Sequence, residues 1–76
     1  MQAFVQIALD GAQESHVFDA LKGMRETKEV HILFGEWDMI AKLELASPEA
    51  LGTFVLNNIR TLPGVRLTST MIVAKS

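Results

Sequence analysis

The chain has 76 residues, a formal net charge of −2, no cysteine and a hydrophobic fraction of 49%. So short a domain buries only about 60% of the surface its unfolded chain exposes, so the apolar surplus points to a partner subunit. Excluded are a disulfide framework and thiolate chemistry, an apolar run of about 20 residues able to span a bilayer, and the basic stripe that phosphate-backbone binding needs.

The seven Lys and Arg residues are scattered, so direct nucleic-acid binding is not expected. Met1-Gln2-Ala3-Phe4 lacks the basic flank of a secretory signal, and a reduced cytoplasmic setting is expected. Residues 1–76 read as a single domain, with Met1 directly before the first strand as a natural start.

Residues 2 to 9 alternate as a strand, Ala3, Val5, Ile7 and Leu9 opposite Gln2, Phe4, Gln6 and Ala8. Asp10-Gly11-Ala12 is a turn. Ser15 is a candidate helix cap, and Val17, Ala20, Leu21 and Met24 recur at helical spacing. A second strand is expected over residues 29 to 34, with Val30, Ile32 and Phe34 on one face and His31 and Leu33 on the other. Gly35-Glu36 then reads as a tight hairpin connection into a third strand. There Trp37, Met39, Ala41, Leu43 and Leu45 oppose Asp38, Ile40, Lys42 and Glu44.

Ser47-Pro48 is a strong helix start, a hydroxyl cap followed by proline at the first helical position. Leu51, Phe54, Val55, Ile59 and Leu62 form its apolar stripe, and Pro63-Gly64 ends it. Val65 to Ala74 is the last strand, with Val65, Leu67, Ser69, Met71 and Val73 expected towards the core. Arg66, Thr68, Thr70, Ile72 and Ala74 are then expected on the opposite face.

The order βαββαβ predicts an α+β, ferredoxin-like fold: a four-stranded antiparallel sheet with both helices on one face. The other face would then expose Phe4, Ala8, Leu33, Ile40 and Ile72. Burying a large apolar side chain stabilises by about 1.5–3 kcal/mol, so sheet-to-sheet dimerisation, a dimeric α+β barrel, is expected.

Chemistry is sparse. His16 and His31 are too few and too far apart in sequence for a metal site without cysteine. Asp38 and Glu44, six residues apart on one strand face, are separated by about 20 Å and cannot act as a paired acid and base. Neither catalysis, nor a metal, nor a cofactor is expected. What the residues offer is a small polar-ligand site. Gly35 permits close approach, Glu36 and Asp38 are partners for an ammonium group, and Thr68, Ser69 and Thr70 supply hydroxyls. A plain hairpin turn followed by a β-prone, Thr-rich strand accounts for the same residues.

Several ordered segments carry a resemblance. They are Gly35-Glu36-Trp37-Asp38, Lys42, Leu56-Asn57-Asn58-Ile59-Arg60, Leu62-Pro63-Gly64-Val65 and Thr68-Ser69-Thr70-Met71-Ile72-Val73. With Ala3-Phe4-Val5 they make the chain resemble the effector-binding RAM domain of Lrp/AsnC (feast/famine) transcriptional regulators. The resemblance implies a ferredoxin-like fold, dimers through the sheets, rings of dimers (commonly octamers) and a free amino acid bound between dimers. It implies ligand contacts from Gly35, Glu36, Trp37, Asp38, Thr68 and Thr70. No helix-turn-helix precedes the domain here, so the chain resembles the stand-alone members, sensing amino acids or modulating full-length regulators. Trp37 stands where the family more often has tyrosine. A small dimeric α+β barrel enzyme, monooxygenase-like and using His31 or Trp37, is the alternative on the same topology. The large hydrophobes at helix-facing positions argue against its cavity.

Overall fold

Strand β1 (Gln2–Leu9) is the centre of the molecule, because its alternation gives it two usable faces and both its edges are paired. In the computed structural model, which describes residues 1–76, it lies between β3 (Met39–Glu44) and β4 (Val65–Ile72). The remaining strand β2 (Thr27–Ile32) pairs with β3, giving one sheet in the order β2-β3-β1-β4 with every pairing antiparallel. Helix α1 (Glu14–Lys22) connects β1 to β2, and α2 (Pro48–Phe54) with its continuation connects β3 to β4. This is the βαββαβ, ferredoxin-like arrangement.

Register identifies the core face. Ala3, Val5 and Ile7 stand opposite Leu43, Ala41 and Met39, and all six are fully buried. Val17 and Leu21 of α1 and Leu51, Phe54, Val55 and Ile59 from the second helical segment complete the same cluster. Both helices therefore cover one face of the sheet. Ser47 caps α2 through its Oγ, which accepts from Ala50 N–H at 3.1 Å. Helix α1 begins differently: Gln13 stands at its cap position with no side-chain bond, and Ser15 lies inside the first turn.

The second helix does not stay α-helical. Residues Val55–Ile59 form a π-turn, in which Arg60 N–H donates to Val55 carbonyl at 2.9 Å. An i→i+5 closure brings the residue five positions on back to the same side, so Phe54, Val55 and Ile59 all remain buried. Leu56 is left exposed.

Three expectations need correction. Strand β2 ends at Ile32, and residues 33–38 form a loop closed by Leu33 N–H donating to Asp38 carbonyl at 2.9 Å. Phe34 is consequently fully exposed instead of facing the core. Trp37, expected beside Met39, precedes the strand and lies outside the core cluster.

The third correction concerns β4. Leu9 pairs with Val65 but Ala8 pairs with Leu67, so Arg66 is an extra residue, a β-bulge. An inserted residue reverses the parity of every side chain after it. Thr68, Thr70 and Ile72 thus stand on the helix face, opposite Ile7, Val5 and Ala3. Leu67, Ser69 and Met71 stand on the open face, opposite Ala8, Gln6 and Phe4. The open face stays partly apolar with changed members: Leu67 and Met71 take the place of Ile72 beside Phe4, Ala8 and Ile40.

Candidate functional site

The loop after β2 is anchored through Asp38. Its backbone N–H donates to Ile7 carbonyl at 3.0 Å, and its Oδ2 accepts from Leu9 N–H at 2.7 Å. The carboxylate takes the place of a ladder carbonyl where β1 runs past the end of β3, a charge-assisted bond in a half-buried setting. Asp38 is therefore a structural clasp for the turn, with its second oxygen remaining as an acceptor. Gly35 is exposed, has no positive φ, and has open space where a Cβ would stand. The fold itself makes no demand for glycine there.

The side chains held by this loop meet β4. Glu36 and Trp37 line a concavity of about 280 Å³ with Ala8, Arg66 and Leu67. Ala8 is only 3% exposed, yet it lies outside the main core, shielded on the open face of the sheet. The bulge contributes directly, because it delivers Leu67 to this side of β4.

Thr68 and Thr70 lie on the other side of the same strand. They border a groove of about 400 Å³ between β4 and the second helical segment, lined also by Leu51, Val55, Leu56 and Arg60. That volume falls within the range of small-molecule sites, about 300–1,000 Å³. The π-turn places Leu56 on the groove wall. A third concavity of about 240 Å³, lined by Arg60, Val65, Arg66, Leu67 and Thr68, shares residues with each of the other two. The six residues expected to bind ligand are thus divided. Gly35 to Asp38 stand at one end and Thr68 and Thr70 behind β4, with Arg60 and Arg66 between them.

Those two arginines are what sequence reasoning missed. Arg60 lay within a motif that carried the resemblance, but nothing in its spacing tied it to Thr68. Arg66 was assigned by alternation alone. Arg66 Nε lies 3.4 Å from Asp10 Oδ1, whereas none of the chain's four ion pairs involves Arg60.

The polar groups of the open face form a separate cluster. Glu29 meets His31 Nε2 at 3.1 Å and Lys42 Nζ at 3.5 Å. The hydrogen bond from His31 and the charge of Lys42 hold the Glu29 carboxyl below its ordinary pKa.

The fold and its concavities define a small ferredoxin-like ligand-binding domain. The chain belongs to the Lrp/AsnC ligand binding domain family, whose model matches residues 2–76. It is 36% identical over 76 residues to the HTH-type transcriptional regulator FL11 of Pyrococcus abyssi, covering 100% of this chain and 50% of that protein. An uncharacterised HTH-type transcriptional regulator of Pyrococcus furiosus is 36% identical over 73 residues, 92% of this chain and 49% of that one. The chain thus spans about half the length of these relatives. Among solved structures, FFRP-DM1 superposes with a TM-score of 0.90 at 35% identity, covering 95% of this chain and 96% of that one. The family is a regulatory ligand-binding domain and its relatives are named as regulators; the chain is not an enzyme.

Proposed function

We propose that residues 1–76 form one RAM-type effector domain that binds a free amino acid and thereby senses it, or adjusts full-length regulators of the same family. The carrying observation is the continuous run of concavities around β4, which links the loop at Glu36 and Trp37 to Thr68 and Thr70. In this reading Gly35, Glu36, Trp37, Asp38, Thr68 and Thr70 contact the ligand. The acidic loop suits the ammonium group and the threonine hydroxyls suit the polar remainder. Calorimetric titration with each of the twenty amino acids tests it: saturable binding at millimolar ligand or below is expected, and no heat with any of them removes the sensor reading.

The same proposal includes assembly. Phe4, Ile40, Leu67 and Met71 make the open face suited to sheet-on-sheet dimerisation, with dimers closing into a ring such as an octamer. The β4 concavities would then sit at crevices between dimers. The domain acts through protein partners in the cytoplasm without touching DNA itself, since its seven cationic residues form no stripe. Light scattering at micromolar concentration is expected to give a dimer or larger; a monomer overturns the assembly.

A further inference from the structure

Resting on the effector-binding reading above, we infer that Arg60, with Arg66 and the Thr68 hydroxyl beside it, binds the ligand's carboxylate, and that the groove along the π-turn receives an apolar side chain. Arg60 and Thr68 are the two residues shared by the polar concavity and the larger groove. A group held there is within reach of both. Arg60 has no ion-pair partner, so its planar fork of donors is available for bidentate contact with a carboxylate. Arg66, whose Nε lies 3.4 Å from Asp10 Oδ1 in a solvent-exposed pair, adds positive potential at the same point.

From that anchor the larger groove leads away past Leu51, Val55 and Leu56. No carboxylate lines it, so a cationic side chain would find no opposite charge and would face Arg60, while an acidic one would be partly desolvated against Leu51, Val55 and Leu56. An aliphatic or thioether side chain instead covers Leu56, which is 56% exposed. The ligand class is therefore an α-amino acid with an apolar side chain, its carboxylate at Arg60. The π-turn is part of the specificity, since it sets where Val55 and Leu56 stand relative to Thr68 and Thr70.

The test is calorimetry on the full chain with L-valine, L-leucine, L-isoleucine, L-methionine, L-phenylalanine, L-lysine and L-leucinamide. The expected result is that an apolar amino acid binds more tightly than L-lysine, and that Arg60→Gln weakens it by about tenfold or more, the usual effect of losing a charge-assisted hydrogen bond. L-Leucinamide, which lacks the carboxylate, is expected to bind weakly and to be insensitive to Arg60→Gln. Because Arg60 is exposed, the variant should retain the wild-type circular dichroism spectrum. Wild-type affinity in Arg60→Gln, or tighter binding of L-lysine than of every apolar amino acid, overturns the inference while leaving effector binding intact. If the wild-type chain binds none of the twenty amino acids, effector binding itself falls and the subsite with it.

Discussion

Asp38 shows how one side chain can serve the fold and a site together. Its Oδ2 accepts from Leu9 N–H at 2.7 Å, so Asp38→Ala removes an ionic acceptor and leaves a half-buried amide without its partner. The expected cost is about 1.5 kcal/mol, the lower end for hydrogen bonds to charged groups, measured by urea denaturation. A residue that served only as a ligand contact would be lost without cost to the fold; the clasp means that in Asp38→Ala stability and ligand binding should weaken together. Asp38→Asn separates them, because it keeps an acceptor oxygen but not the charge that attracts an ammonium. It is expected to retain most of the stability and to lose affinity in calorimetry. Gly64 is under a different constraint. Its φ is +92°, and a Cβ there would stand 2.3 Å from Gln13 Cβ. Gly64→Ala combines left-handed strain with a clash and should destabilise by about 2 kcal/mol or more in the same assay.

At the level of elements, β4 and the second helix carry the departures from regularity, and both border the candidate site. The bulge at Arg66 sends Leu67 and Met71 to the open face and the threonines to the groove. The π-turn keeps Ile59 in the core while leaving Leu56 on the groove wall. Across β2 and β3, Glu29 is bonded to His31 and Lys42. A carboxyl whose folded pKa is lowered contributes stability above its unfolded pKa and loses it as pH falls through the folded one. Glu29→Gln should therefore reduce the melting temperature near neutral pH, with the difference from wild type shrinking as the medium is acidified below the ordinary glutamate pKa. Thermal melts followed from neutral to acidic pH check this; a difference that grows on acidification contradicts it.

For the whole molecule, the decisive property is a sheet with one face covered by helices over β1 and β3 and the other left partly apolar. Leu67 is 52% and Met71 41% exposed in the single chain, next to Phe4 and Ala8 by register. Placing a charge on that face should oppose sheet-on-sheet association without touching the helix-side core. Met71→Lys is expected to shift the light-scattering mass towards the monomer while the circular dichroism spectrum is unchanged. An unchanged assembly would mean that the subunits meet elsewhere. Because the candidate site borders β4, a monomeric variant should also bind amino acids more weakly if dimers complete the crevice.

The sequence by itself determined the element order, the helix-facing core of β1 and β3, the Ser47-Pro48 helix start and the family resemblance. The first three rest on local periodicity or short-range capping, which a chain carries without its partners, and the resemblance rests on an ordered set of short motifs such as Gly35-Glu36-Trp37-Asp38. Tertiary structure decided where β2 ends, that Asp38 is bonded to Leu9, and on which side of β4 the threonines stand. A bulge is visible only in the pairing of two strands, because alternation within one strand carries no record of the residue its neighbour skips. The same is true of Arg60 and Arg66, distant from the acidic loop in sequence and brought between its halves of the site only when β4 closes against β1.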